Sequence, residues 1–112
     1  MAVSFQGFHE TAATFDVSGA LSEGTPVKMS GNGEVSACAA GDNFCGAALA
    51  VREGLATVQL GGYAVLSYSG TAPTVGYNTL VADGAGGVKV LQGGRSLLVV
   101  EVFGDGTIGV ML

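Results

Sequence analysis

The sequence predicts an all-β protein, a small single-domain barrel or sandwich of about nine short strands. Three observations point there. Nearly every apolar run is broken by glycine within about eight residues, too soon for the 3.6-residue stripe of an amphipathic helix to build up. The runs are rich in Val, Thr, Tyr and Phe, the branched and aromatic residues that pack well on a pleated surface. The chain has 20 glycines against two prolines, and they stand singly or in pairs between those runs rather than at every third position. That is the punctuation of turns, not of collagen or a flexible linker.

Taken in order, the first contested stretch is "HETAATFDVSGALSEG", residues 9–24. A helix competes there, but the β-formers of "ATFDV" and the flanking Gly19 and Gly24 favour a strand. Residues 1–19 therefore read as an N-terminal segment, a strand or docking arm, ahead of one β domain over 20–112. Within that domain the strands run Pro26 to Met29, Val35 to Cys38, Phe44 to Val51, Leu55 to Leu60, Tyr63 to Ser67, Thr79 to Ala82, Val88 to Leu91, Leu97 to Phe103 and Thr107 to Met111. Most have Gly, Asn, Asp or Ser within a few residues of their ends, residues that accept the dihedrals of tight turns.

"GTPVKMSGNGEVSAC" (24–38) is echoed by "GYNTLVADGAGGVKVL" (76–91). Setting Gly76 on Gly24 places Thr79 and Val81 on Val27 and Met29. After a one-residue insertion in the second turn, Val88 and Val90 fall on Val35 and Ala37. Leu98, Val100 and Val102 meet Cys45, Ala47 and Leu49, and "GTIGVML" answers "GLATVQL". The reading is two pseudo-repeats, 24–60 and 76–112, joined by "GGYAVLSYSGTAPTVG". Neither is large enough to bury its apolar face alone, so the copies are expected to pack as halves of one core. Glycine-rich hairpins also align by chance, so the repeat stands as an expectation.

Only 12% of the residues are charged, mean hydropathy is +0.51, and the formal net charge is -5. So much neutral surface favours an oligomer or a docked partner. Lys28, Arg52, Lys89 and Arg95 are scattered singly, which argues against nucleic-acid binding, because phosphate neutralisation needs clustered cations. The opening "MAVSFQGFHE" has neither a basic nor an apolar leader region, and no window reaches the ~18 apolar residues of a membrane span. The expectation is a protein made in the cytoplasm, neither secreted by a signal peptide nor embedded in a membrane.

The residues that could carry chemistry are sparse. His9 stands beside Glu10 with no second imidazole, too little for a metal site or a hydrolytic base and nucleophile. Cys38 and Cys45 lack the spacing of zinc or redox motifs. The repeat sets leucines on both, so core packing is the expectation, with a hairpin disulfide as the alternative. Asp42, Asp83 and Asp105 lie in "GDN", "DG" and "GDG", where a short carboxylate caps a turn. "GDGTIG" has no lysine and leads into a strand, so it cradles no phosphate. No catalytic, cofactor-binding or metal-binding residues are expected. Candidate partner contacts are Phe5 and Phe8 in the N-terminal segment and Tyr63, Tyr68 and Tyr77 around the inter-repeat segment, where half-buried strand tyrosines are the plainer alternative.

The order of motifs resembles a known family. "EGTPVKMSGNGEVSACAAGDNFCGAAL", then "GLATVQLGGYAVLSYSG", "VGYNTLVADGAGGVKV" and "LLVVEV" resemble small phage-encoded proteins of the DUF2190 type, described as capsid decoration proteins. The similarity covers roughly residues 20–112 and consists of glycine-turn and strand patterns. It implies a barrel-like, non-enzymatic structural protein that docks on the outer surface of an expanded phage or prophage head. The implied partner is the lattice of the major capsid protein, the implied location the virion surface, and the implied state a homo-oligomer, with a trimer favoured. The competing expectation is a β module that binds carbohydrate or a host surface, motivated by the tyrosines between 63 and 77.

Overall fold

A computed structural model describes residues 11–112, and all of its regular structure is β, as the sequence predicts. Ten strands are present: β1 (Thr11–Val17), β2 (Pro26–Gly31), β3 (Glu34–Ala37), β4 (Gly46–Arg52), β5 (Leu55–Gly61), β6 (Tyr63–Ser67), β7 (Gly76–Ala82), β8 (Val88–Val90), β9 (Arg95–Val102) and β10 (Thr107–Met111). Phe5, Phe8 and His9 lie outside the described residues. The strands are short because glycine turns interrupt them. At "REGL" Arg52 pairs with Leu55 across a two-residue turn in which Glu53 (φ 51°) and Gly54 (φ 78°) both adopt positive φ, the dihedral pattern of a type I′ hairpin.

The first five strands form a closed barrel, β1-β3-β2-β4-β5, sealed by parallel pairing of β1 with β3. The second five form a sheet in the order β6-β10-β9-β7-β8. Read from its other edge, that sheet repeats the barrel's order with every number raised by five. Even the barrel's seal has a counterpart: a lone parallel bridge joins Tyr68 to Val88, as Val17 pairs with Val35. The hydrogen bonds match as well. Ser18 N donates to Val35 O and Ser69 N to Val88 O; Val17 N donates to Gly54 O and Tyr68 N to Gly106 O, all at 2.9–3.0 Å.

The ladders set some counterparts differently from the sequence comparison. Opposite Ala37 and Val90 stand Val27 and Leu80, so Leu80, not Thr79, takes the place of Val27. Opposite Ala56 and Ile108 stand Val51 and Val102, so Val102 corresponds to Val51 and not Leu49. Bulges cause part of the shift. The register slips between Ala48 and Ala50 against β5, and between Gly109 and Val110 against β9, and an unpaired residue inserted in a ladder is invisible to a comparison by letters.

Each half has a buried apolar cluster. Val27, Val35, Ala48, Ala56 and Val58 fill the barrel. Ala64, Leu66, Leu80, Val88, Leu97, Val99, Ile108 and Val110 line the inner face of the second sheet, joined there by Phe44 and Ala47 from the first half. Phe44, 3% exposed, lies in the β3–β4 connection and crosses between the halves. The same connection hydrogen-bonds to β7: Gly41 N donates to Ala82 O (2.8 Å) and Ala82 N to Asp42 O (2.9 Å). From the other side Arg95 places its guanidinium 5.8 Å from the Phe44 ring centroid and donates to Cys45 O at 3.1 Å. The halves are thus joined by an aromatic side chain, two backbone bonds and a cation over the ring. Gln59 is buried (3% exposed), and its amide donates to Gly61 O (3.0 Å) and Tyr63 O (2.7 Å), fixing the turn from β5 into β6.

Candidate functional site

The outer face of the second sheet carries the most distinctive surface. Residues directly opposite in antiparallel strands share a face. Tyr63 stands opposite Met111, Met111 opposite Leu98, and Leu98 opposite Tyr77. The four form one apolar row across β6, β10, β9 and β7. Their sequence neighbours Ala64, Val110, Leu97 and Val99 point the other way into the core. Tyr77 is 76% exposed and Val65, two residues along β6 from Tyr63, 51% exposed, while Thr79 opposite Ser96 and Ser67 opposite Thr107 make the flanks of the row polar. The place of Met111 is taken in the barrel by Gln59, opposite Ala47 and spent on the β5–β6 turn, so the barrel has no equivalent row.

Local sequence explains how the row is held. Gly109 lies beneath the Tyr63 ring, and a Cβ there would overlap the phenol. Beside it, Glu101 stands opposite Gly109. Burial first, and the Glu101 carboxylate second, push the Tyr63 phenol above its ordinary value of 10.0. Tyr63 at physiological pH is therefore a neutral, partly covered ring, the kind of contact area that costs little entropy to order.

The candidate contacts separate by strand parity. Tyr63 and Tyr77 are on the row. Tyr68, an odd number of residues from Tyr63, turns inward and packs against the second core. Parity along β6 was the available signal, since period-two alternation puts Tyr63 and Tyr68 on opposite faces. Met111 and Leu98, the middle of the row, were missed because nothing local marks a strand residue as outward.

The two thiols are free and sit on different cores, Cys38 against the second cluster and Cys45 against the first. Burial, with the Asp42 carboxylate beside it, pushes the Cys38 thiol up to about 11. Burial also raises Cys45. Neither is an activated nucleophile. The three aspartates cap turns. Asp42 Oδ2 accepts from Ala39 N (2.9 Å) and from Lys28 Nζ (2.6 Å). Asp83 accepts from Ala85 N, Gly87 N and Ser69 Oγ, and Asp105 from the Thr107 N and Oγ1. Among the described residues no group of three or more His, Cys, Asp or Glu is placed to hold a metal ion, and no helix is long and apolar enough to cross a membrane.

A crevice of about 310 Å³ separates the halves, lined by Ala20, Ser22, Thr25, Cys38, Ala82 and the 84–87 turn. Its Thr25 hydroxyl is already bonded to Ser22 O at 2.7 Å, and among the described residues no charged side chain lines it. It lacks the convergent polar groups that orient a small ligand. No family model matches the chain, and no curated protein matches it.

Proposed function

We propose that this protein is a non-enzymatic structural module that acts through protein contact, as a decoration protein on the outside of a phage or prophage head. The observation that carries the contact function is the Tyr63–Met111–Leu98–Tyr77 row, half-buried up to the exposed Tyr77, on a sheet whose other face is a packed core. The resemblance of its glycine-turn motif order to DUF2190-type proteins is what suggests the head as the partner. On a repeating lattice, several weak contacts per bound unit multiply into high avidity. The test is to mix purified protein with expanded, undecorated heads of the cognate phage and image them. The expected result is added density at the local symmetry axes, and bare heads at saturating protein would refute the reading.

A second reading, a carbohydrate- or host-surface-binding module, is favoured by one observation, the 76% exposed ring of Tyr77. Stacking on a sugar face is the chemistry such a ring offers. Glycan-array binding abolished by Tyr77→Ala would establish it. Tyr68→Ala would not discriminate, because that ring packs on the core.

A further inference from the structure

We propose that Asn32 is a site of spontaneous deamidation and that its conversion to isoaspartate loosens the seal of the barrel. The Gly33 nitrogen attacks Asn32 Cγ; a C–N bond forms, the Cγ–Nδ2 bond breaks and ammonia leaves. Water then opens the cyclic imide at either carbonyl, giving aspartate or, with one more carbon in the main chain, isoaspartate. The reaction needs a carboxamide free to turn back on its own main chain and an uncrowded nitrogen after it. The chain has three asparagines, and Asn32 is the one followed by glycine. It is exposed at the tip of the β2–β3 hairpin, where Gly31 stands opposite Glu34, and among the described residues no hydrogen bond holds its side chain. No atom lies within 4 Å of where a Cβ on Gly33 would stand. Asn78 is held differently: it sits in β7 opposite Leu97, and its Nδ2 donates to Thr74 O (2.6 Å) and Gly76 O (3.0 Å). Asn43 precedes Phe44, whose buried side chain flanks the nitrogen that would attack.

The site matters because of what the next residues do. β3 closes the barrel onto β1 through Glu34 opposite Asp16 and Val35 opposite Val17, and Asp16 N donates to Gly33 O at 2.9 Å. The acceptor of that bond is the carbonyl of the residue that Asn32 would be relinked to. Isoaspartate lengthens the main chain inside a two-residue turn, which carries Gly33 O off Asp16 N. Ordinary aspartate adds the same negative charge where the carboxylates of Asp16 and Glu34 are already neighbours in register, but leaves the main chain its length. The modification goes beyond the decoration reading and is measured on free protein, so either can fail without the other.

The test is to age the full folded chain in mildly alkaline buffer and map it by tandem mass spectrometry, with isoaspartyl methyltransferase labelling to separate the two products. Replacing the amide NH2 by OH adds about 1 Da, and conversion at Asn32 should run at least about tenfold faster than at Asn43 or Asn78. Asp83 and Asp105 also precede glycine, but rearrangement there changes no mass and maps to other peptides. Asn32→Gln should abolish the early mass gain. Amide exchange on the aged protein reads the consequence: the isoaspartyl form should lose protection at the Asp16 amide about tenfold, and freshly prepared Asn32→Asp should stay within about threefold of the parent. Conversion at Asn32 no faster than at the other two asparagines, or an isoaspartyl form with the Asp16 amide as protected as before, would overturn the proposal.

Discussion

Phe44→Ala tests how the two halves are joined. The side chain belongs to the β3–β4 connection of the first half yet is 3% exposed within the second core. A phenylalanine buries about 200 Å², which at about 25 cal/mol per Å² corresponds to about 5 kcal/mol, of which the remaining alanine keeps a part. The cavity it leaves adds back some of the loss, for a net cost of about 3–5 kcal/mol. Arg95 also loses the ring beneath its guanidinium. Against a domain stability of about 5–15 kcal/mol this is a large fraction. Urea unfolding followed by circular dichroism and tyrosine fluorescence suits a chain with three tyrosines and no tryptophan. With a slope of about 1.5 kcal/mol per M, the midpoint should fall by about 2–3 M. Leu49→Ala, at a 41% exposed site, is the control and should move it by less than about 0.5 M. A Phe44→Ala shift as small as that of the control would refute the placement of this ring in the second core. Amide exchange adds a local readout, since the Gly41 and Ala82 amides, which bond across the junction, should lose protection before the barrel ladders do.

Other outcomes follow from single sites. Glu53→Asn, at a non-glycine residue with φ 51°, should raise stability by about 0.5–1 kcal/mol and the melting temperature by a few degrees, because asparagine tolerates the left-handed region of a type I′ turn. Asp83→Ala removes the acceptor for Ala85 N, Gly87 N and Ser69 Oγ and should cost about 1–2 kcal/mol in the same urea assay. Burial pushes the Asp83 carboxyl up, but those hydrogen bonds outweigh it and hold the group below 3.8; the Lys28 hydrogen bond holds Asp42 below it as well. A carboxylate with a depressed folded pKa stabilises the fold above its unfolded value and ceases to as pH falls through the folded one. Stability should therefore be steady from about pH 7 to 5 and decline below about pH 4, less steeply in Asp83→Asn. Cys38, with its thiol at about 11, should react with a disulfide reagent at pH 8 about tenfold more slowly than in the urea-unfolded chain, since only the thiolate attacks and the greater nucleophilicity of a more basic thiolate offsets part of its scarcity.

The strands were legible because their signal is local. "EVSA", "LATVQLG" and "RSLLVVEV" each carry β-formers between glycine or acidic turn residues, and every strand expected from the sequence within the described residues overlaps an observed one. The register between repeats was less legible, since a bulge at Ala48 or Gly109 changes pairing without changing composition. Phe44 was assigned to a strand of its own half and instead fills the other half's core. No local pattern distinguishes an aromatic that stays home from one that crosses. Of the candidate contacts, Tyr63 and Tyr77 emerged on one face and Tyr68 did not, although the five-residue step from Tyr63 to Tyr68 already placed them on opposite sides of β6.

By itself the sequence determined that the chain is all-β and where its turns fall, because glycine spacing and branched side chains act over a few residues. Only the tertiary structure decided that the first half closes as a barrel, that Phe44 links the halves, and that Tyr77, Leu98, Met111 and Tyr63 stand in one row. Those residues come from β7, β9, β10 and β6. The row exists only because the ladders bring these strands side by side, and hydrogen-bond register between distant segments is a property of the folded sheet, set by strand pairing as a whole.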